Sequence, residues 1–499
     1  MNIMNILKSL SNVRAKRAMA ATLLCVLLVG CGGKEPAMTD TQSVGSTATD
    51  EVVSTGLAPD LPNVDYDGYT FTIAFRDQSG YDWVGDIEAT EQNGEVVNDA
   101  KFARNQAVEE QLGINIETHI LNGDQYGDST AASILAGDTE YDLIAPHAHL
   151  AWSAYIAQGL ALNWSDNMTY CDFDMPWWDQ DSRSSLSVEG RIYTMAGDFS
   201  YYAFAYTRAL VFNKSILTDM GEKMPYETVL DGKWTFDEFN RLCLLAANDL
   251  NGDSRFELEN DQYGYVTNWW GGPIAFLYAG GGRTTQKDKD DIPYITLGDE
   301  RSVNIYEKFF SMMSADGMEV VLNSSTESFR NAFRDGRLLF TDMPLLDMEV
   351  LRDMKDDWGI LPLPKLDESQ EGYNSIVDAG VQLYIVPVNS ENPERTSVVL
   401  EAMSYEGWKT VIPAFYETAL QGKYARDDES VMMLDIIKDS RVFDFGYFTG
   451  SVNSLHRIGC AGYYLVKEDS QDLASYCAKY LPAAKAELNN FIDQIKESN

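Results

Sequence analysis

The sequence predicts an α/β protein built as two lobes. With 499 residues, the chain is too long for one compact core, so two lobes are the default expectation. Between residues 70 and 158, apolar strand patterns alternate with helical patterns. That alternation is typical of a mostly parallel sheet covered by helices on both faces. Near the middle of the chain, residues 190–214 are rich in aromatic side chains, which indicates a crossover lined with rings.

The first part of the chain contains three predicted strands and three predicted helices. Gly113 is placed to end the first helix, because glycine adopts the left-handed conformation that closes many helices. Ligands of parallel sheets bind at the carboxyl ends of the strands, so His147, just after the third strand, is predicted to lie at the rim of a cleft. The strands are expected at 70–75, 114–120 and 141–145, and the helices at 98–112, 129–136 and 150–158.

Strands are also predicted at 192–195 and 209–212, where β-branched and aromatic residues concentrate. Thr235 and Glu238 form a capping box at the start of an amphipathic helix. Helical spacing recurs at 303–313, 326–333 and 345–354, and Pro482 is placed to begin the last helix.

Charge and the amino terminus limit the class of protein. The formal net charge is −39, which repels nucleic acid and anionic lipid headgroups.

Residues 1–30 combine four basic residues with an apolar run at 18–30. That run is too short to cross a bilayer comfortably, so it is predicted to be a signal peptide. Residues 31–62 are rich in Ser, Thr and acidic residues and are predicted to form a flexible tether.

The end of the signal peptide resembles the lipobox of bacterial lipoproteins. The match is Leu28-Val29-Gly30-Cys31. The resemblance implies that Cys31 becomes the first residue of the mature chain and carries the lipid, palmitate included. The protein is then expected outside the cytoplasm, anchored to the bacterial cell membrane.

Further segments resemble the extracellular solute-binding lipoproteins of ABC importers, and in particular the sugar-binding family 1 type. The resemblance covers nearly the whole chain and rests on the order of its segments, among them NDAKFARNQAVEEQLGI, YDLIAPHAHL, FRNAFRDGRLLFTDMP and WGILPLPK. It implies a type II periplasmic-binding-protein-like fold with the ligand cleft between the lobes. By that analogy, residues 63–206 and 341–390 form the first lobe, and residues 207–340 and 391–499 form the second.

The function implied by the resemblance is capture of a solute, a mono- or oligosaccharide, and its delivery to ABC permease subunits. The chain is expected to act as a monomer, to need no cofactor and to lack catalysis. G-x-S-x-G, H-E-x-x-H and C-x-x-C motifs are all absent from the sequence. Two alternatives stay open, namely a surface lipoprotein enzyme acting on glycans and a non-transporting adhesin or sensor subunit.

A sugar site needs aromatic rings beside polar side chains, because sugar C–H faces stack on rings while the hydroxyls need hydrogen-bond partners. Several aromatic residues have acids or amides as close neighbours in the sequence, although packing in the core is the alternative for each of them. The predicted ligand-binding residues are Asp82, Trp83, His147, Asp198, Tyr201, Tyr202, Asn268, Trp269, Trp270 and Asp342.

A calcium loop is predicted directly after the capping-box helix. Oxygen ligands at alternate positions resemble an EF-hand loop, but Ser254 replaces the turn glycine and Asn260 replaces the final glutamate. A solvated acidic turn is the alternative to a structural calcium ion. The predicted ligands are Asp249, Asn251, Asp253, Arg255, Glu257 and Asp261.

Histidines and cysteines give weaker signals. His147 and His149 have the spacing of a metal pair, but only two other histidines exist in the chain, so a hydrogen bond from His147 to a ligand is favoured over zinc. Cys171 and Cys243 are far from each other and from the remaining pair in the sequence. Either a disulfide joins Cys460 to Cys477, or the thiols are free and buried.

Overall fold

The protein is described here by a computed structural model. It describes residues 57–76, 86–121, 127, 129–138, 140–322, 327–416, 427–449 and 453–497. The described residues from Ala58 onward belong to one compact unit. The predicted signal peptide, Cys31 and nearly all of the tether lie outside the described residues, and so do Asp82 and Trp83.

Twelve strands occur in the described part of the chain. They are β1 (Tyr69–Arg76), β2 (Ile114–Leu121), β3 (Leu143–Ala145), β4 (Arg208–Asn213), β5 (Tyr263–Asn268), β6 (Thr285–Lys287), β7 (Pro293–Ile295), β8 (Met318–Val321), β9 (Leu338–Pro344), β10 (Trp358–Leu361), β11 (Ser375–Ile376) and β12 (Arg441–Val442).

Helices connect and cover these strands. The α-helices are α1 (Val96–Leu112), α2 (Thr130–Ala136), α3 (Ala148–Leu150), α4 (Trp164–Asn167), α5 (Gln180–Leu186), α6 (Tyr202–Ala205), α7 (Lys214–Asp219), α8 (Tyr226–Leu230), α9 (Phe236–Ala246), α10 (Gly272–Ala279), α11 (Glu300–Met313), α12 (Glu327–Arg334), α13 (Pro393–Lys409), α14 (Val411–Pro413), α15 (Asp428–Asp439), α16 (Phe445–Phe448), α17 (Ser454–Gly459), α18 (Ala461–Lys467) and α19 (Leu473–Glu497). A π-helical turn (Ala151–Tyr155) and 3₁₀ turns (Ile156–Gln158 and Leu345–Leu351) complete the set.

The first sheet contains the three strands predicted at the start of the chain. Its order is β2-β1-β3, and both pairings are parallel. Gly113, with a φ of 63°, ends α1 and lets β2 begin at the next residue. A bridge between Ile144 and Ile385 brings a late segment of the chain against β3. The predicted strand–helix alternation is therefore confirmed.

The second sheet is larger and mixed. Its order is β10-β4-β9-β5-β8. Strand β4 is antiparallel to β9 and β10, whereas β5 is parallel to β8 and β9. Half of the predicted capping box is present: the Thr235 side chain accepts from the backbone N–H of Glu238 at the start of α9, whereas the Glu238 carboxylate accepts from Arg241. Helices cover two separate main sheets. The protein thus has the predicted type II, two-lobed α/β fold.

Sheet membership differs from the predicted lobe boundaries at three places, while the division into lobes stays a prediction. Residues 341–344 of β9 were assigned to the first lobe but lie in the second sheet. Strand β10 lies within 341–390, which was assigned to the first lobe, yet it pairs with β4 in the second sheet. Helix α13 lies within 391–499, which was assigned to the second lobe, yet its Val398 and Met403 pack in the hydrophobic cluster of Phe71 on β1.

Two predicted elements differ from the structure. Residues 192–195 form no strand; the Ile192 carbonyl instead accepts from the backbone N–H of Trp164, so this apolar run packs as a loop. Pro482 does not begin the last helix, because α19 begins at Leu473 and contains the proline.

Large apolar side chains fill the interior. The fully buried side chains include Trp152, Trp164, Trp234 and Trp358.

Among the helices of the described residues, none has the length and apolar character needed to cross a membrane.

Candidate functional site

The carboxyl ends of strands from both sheets meet in one place. His147 and His149 follow β3 of the first sheet, and Trp269 and Trp270 follow β5 of the second. The ring centroids of His149 and Trp270 lie 5.9 Å apart. Two residues predicted to bind ligand, His147 and Trp270, are thus brought to the two sides of a single site.

Residues from the carboxyl-terminal part of the chain complete this group. Tyr447 lies 5.9 Å from His149 and 6.4 Å from Trp270 between ring centroids. His456 lies 4.9 Å from His149, and Tyr463 lies 5.1 Å from Trp270. We call this set the cleft cluster. Its members are His147, His149, Trp269, Trp270, Tyr447, His456 and Tyr463.

Local hydrogen bonds hold the two rims of the cleft cluster. The Nδ1 atom of His147 accepts from the backbone N–H of His149 at 3.2 Å, which caps α3. On the other side, the Asn268 side-chain oxygen accepts from the backbone N–H groups of Trp270 and Gly271. Asn268, predicted to bind ligand, therefore shapes the turn that presents Trp270.

The imidazole rings of the cleft cluster are neutral at neutral pH. Burial lowers the pKa of His149 to about 3, with the neighbouring His456 adding to the effect. Burial likewise lowers the pKa of His456 to about 4 and lowers that of His147 well below its ordinary value. The rings therefore offer neutral donors and acceptors rather than cations.

Comparison with known proteins identifies the family. A family model described as bacterial extracellular solute-binding protein matches residues 95–405. The chain belongs to the bacterial extracellular solute-binding protein family. Because the members of this family are binding proteins of ABC transporters, the two-sheet site has the place expected of a solute cleft. No curated protein matches the chain.

Solved structures of solute-binding proteins share the fold. An ABC transporter solute-binding protein from Thermotoga lettingae, bound with α-D-tagatose, aligns with a TM-score of 0.53 and 14% identity over 85% of this chain and 100% of its own. M. tuberculosis UspC aligns with a TM-score of 0.54 and 13% identity over 84% and 99% of the two chains. Maltose-bound T. maritima MalE3 aligns with a TM-score of 0.50 and 12% identity over 86% and 100%.

In this solute-binding protein, Asp342 lies on β9 and is 1% exposed. One carboxylate oxygen accepts from Tyr265 Oη at 2.7 Å and from Thr267 Oγ1 at 2.5 Å. The other accepts from Arg208 at 3.0 Å and 2.5 Å. Both oxygens of this predicted ligand residue are thus engaged by protein donors.

Tyr201 and Tyr202 pack inside the solute-binding protein. Their rings lie 5.1 Å apart, and Tyr201 also lies 5.0 Å from Phe415. Burial raises the pKa of both phenols. In this conformation the two rings fill the interior around α6.

Asp198 lines a different cavity, of about 320 Å³, whose lining contains no member of the cleft cluster. Trp408, Tyr416, Lys438 and Arg441 share that lining. Burial raises the pKa of Asp198 to about 7, and nearby Arg441 opposes the rise. The structure thus separates Asp198 from the ligand residues predicted near Trp270.

The predicted calcium loop forms a series of turns after α9. Asp249 accepts from the backbone N–H groups of Gly252 and Ser254, each at 2.7 Å. Asp253 accepts from Arg255 N at 2.9 Å, and Asp261 accepts from Leu250 N and Glu257 N at 2.9 and 2.8 Å. The side chain of Asn251 accepts from Asp253 N at 2.8 Å. Calcium at this loop stays a prediction.

Sequence reasoning missed several members of the cleft cluster. Tyr447, His456 and Tyr463 lie about three hundred residues after His149 in the sequence, so no local spacing connects them. The pairing of Tyr463 with Tyr464 was a usable signal, since aromatic pairs were considered for the site. The four described cysteines, Cys171, Cys243, Cys460 and Cys477, are free, which decides against the disulfide.

Proposed function

We propose that this chain is a lipid-anchored receptor that captures a mono- or oligosaccharide between its lobes and delivers it to an ABC permease. The proposal rests mainly on one observation: the rings of His149 and Trp270 face each other, with centroids 5.9 Å apart. They follow strands of different sheets. The two rings are in edge-to-face contact, so the lobes must open to admit a solute. A solute then bound between them touches both lobes, and binding favours the closed arrangement.

Aromatic rings support a carbohydrate as the solute. Trp269, Trp270 and Tyr463 lie together, with centroid distances of 4.9 and 5.1 Å from Tyr463, and all three are half-buried. Half-buried rings combine apolar faces with accessible edges. Sugar C–H faces stack on such rings, and relatives of the same fold are named with tagatose and maltose bound.

A buried amide on the segment beside His147 supports hydroxyl recognition. Gln382 bridges to His147 through the backbone, and its Oε1 atom is buried without a hydrogen-bond partner. A buried acceptor without a donor costs about 1–3 kcal/mol. A sugar hydroxyl that donates to this oxygen would remove that cost.

The membrane anchor and the permease complete the proposal. The Leu28–Cys31 segment supports acylation of Cys31, which would hold the receptor at the cell surface. Delivery requires that the solute leave unchanged, so catalysis is no part of the proposed function. The acidic tether would hold the folded body clear of the membrane.

The test is a thermal-shift screen of the full chain in detergent against mono- and oligosaccharides, peptides and polyamines. We expect a saturable rise in melting temperature with one class of carbohydrate, because a ligand that binds only the folded state stabilises it. Recovery of the sugar unaltered is part of the expected result. A rise with peptides or polyamines alone would contradict the carbohydrate proposal, and consumption of the sugar would indicate an enzyme.

A further inference from the structure

Three side chains capable of binding a metal converge beside the cleft cluster. One ligand atom each from His149, His456 and Cys460 lies within 4.8 Å of the other two. The Sγ atom of Cys460 is 3.6 Å from His456 Nδ1. Within the part of the chain that the structure describes, no other group of three His, Cys, Asp or Glu side chains meets this condition.

The imidazole of His149 is oriented as a metal ligand would be. Its Nε2 atom is buried and has no hydrogen-bond partner, while the ring also hydrogen-bonds to the backbone of Tyr447. Because Nε2 has no hydrogen-bond partner, Nδ1 is the nitrogen that binds the backbone of Tyr447. The lone pair of Nε2 is therefore available to a metal ion. A backbone carbonyl at the second nitrogen is the usual way in which proteins orient a metal-binding histidine.

The other two groups are held by close packing of one helix. His456 lies on α17, and Cys460 follows four residues later, so the two side chains share one face. A Cβ atom added at Gly459 would lie 2.0 Å from the carbonyl oxygen of Gly446. Gly459 therefore lets α17 approach the backbone of Gly446 closely. This close approach brings His456 and Cys460 near His149.

We propose that His149, His456 and Cys460 bind one transition-metal ion that accepts imidazole and thiolate together, with Zn²⁺ as the leading candidate. Two nitrogens and one sulfur are typical protein ligands of zinc, and three protein ligands leave a fourth position for water or a solute atom. The Cys460 thiol would give its proton to the solvent when Sγ binds the ion. The proposal goes beyond sugar capture and does not depend on the identity of the solute.

The test is a Co²⁺ titration of the reduced, chelator-treated full chain in detergent, followed by displacement with Zn²⁺. We expect one equivalent of Co²⁺ to give the near-ultraviolet absorption of a cobalt–thiolate bond, and Zn²⁺ to remove it. Cys460→Ser is expected to abolish that band. His456→Gln should weaken Co²⁺ binding by more than about 100-fold, because even the loss of an outer partner costs 10–100-fold.

Control variants at another thiol and another histidine show whether cobalt binds at the proposed site or elsewhere on the chain. Cys477→Ser, at another buried free thiol, and His119→Gln, at a histidine on β2, are expected to leave the titration unchanged. Circular dichroism shows whether each variant is folded, and His456→Gln, at a half-buried side chain, tests the site even if Cys460→Ser unfolds. Absence of the thiolate band in the wild type, or its persistence in folded Cys460→Ser, would overturn the metal site. Cobalt binding without any sugar response would contradict only the proposed function.

Discussion

Arg208 donates two hydrogen bonds to a single carboxylate oxygen of Asp342, at 3.0 Å from Nε and 2.5 Å from a terminal nitrogen. Arg208 begins β4, where the chain enters the second sheet, and Asp342 lies on the neighbouring β9. The remaining guanidinium nitrogen donates to Asp378 at 2.8 Å. Asp378 N in turn donates to the carbonyl of Tyr206. One ionic network therefore joins the segments through which the chain crosses between the sheets.

Replacement of Asp342 by Asn tests this network. Asn keeps the shape but removes one of the two negative charges that compensate buried Arg208, and its amide nitrogen cannot accept the hydrogen bonds that a carboxylate oxygen accepts. Breaking a buried pair from one side typically costs 3–5 kcal/mol. We expect Asp342→Asn to lower the free energy of unfolding by about that amount, measured by urea denaturation.

An exposed ion pair gives the control for Asp342. Asp290 pairs with Lys289 at the surface, with side chains 60% and 87% exposed. Such pairs contribute about 0–1 kcal/mol, so Asp290→Asn is expected to change little. Equal effects of the two substitutions would contradict a structural role for the Arg208 network.

Glu401 provides a prediction on pH and stability. Its two oxygens accept from the indole nitrogens of Trp177 and Trp178 at 2.9 and 2.8 Å. Burial raises the pKa of Glu401 from 4.5 to about 7. Between those values the folded state binds more protons than the unfolded state, so the free energy of unfolding falls as the pH rises through that window.

Glu401→Gln removes this titration. We expect the free energy of unfolding of the variant to fall less steeply between pH 5 and pH 7, by on the order of 1 kcal/mol per pH unit. At any pH the variant loses one accepted indole bond, at a cost of about 1–3 kcal/mol. Urea denaturation at both pH values measures both effects, with Glu406→Gln on the same helix as the control. An unchanged slope in Glu401→Gln would contradict the pKa assignment.

Cys31 is predicted to carry the lipid. In bacterial cells grown with labelled palmitate, Cys31→Ser is expected to lose the label and to leave the membrane fraction, because serine does not supply the thiol. Each buried methylene of an acyl chain contributes about 0.8 kcal/mol to membrane binding. Cys25→Ser, within the predicted signal peptide, should keep the label. Label retained on Cys31→Ser would disprove the anchor.

Local sequence pattern predicted most of the elements at the start of the chain, but it was insufficient for the site as a whole. The alternation at the start of the chain predicts β1 to β3 because each strand has an apolar face and each following helix covers it. The placement of His147 at the end of β3 follows from the same pattern. In contrast, Tyr447, His456 and Cys460 reach His149 only through folding of the last part of the chain, and no spacing in the sequence records that contact.

Buried polar side chains are a second feature that the sequence alone leaves open. Asp342 and Tyr201 have the composition expected of a sugar site, and sequence alone does not distinguish an accessible acid from one surrounded by protein donors. In the structure, Arg208, Tyr265 and Thr267 occupy the oxygens of Asp342. Similarly, the run at 192–195 has the composition of a strand but packs as a loop, with the Ile192 carbonyl bound to the backbone N–H of Trp164.

The most direct measurement for the central claim is calorimetric titration of the sugar that gives the largest thermal shift into the wild type and two variants. His147→Ala changes the first-sheet rim, Trp270→Ala changes the second-sheet rim, and Tyr294→Ala, at a ring 45% exposed on β7, is the control. We predict that each rim variant binds at least about tenfold more weakly, a loss of about 1.4 kcal/mol, while the control binds as the wild type does. Unchanged affinity in both rim variants would contradict a solute site between His147 and Trp270.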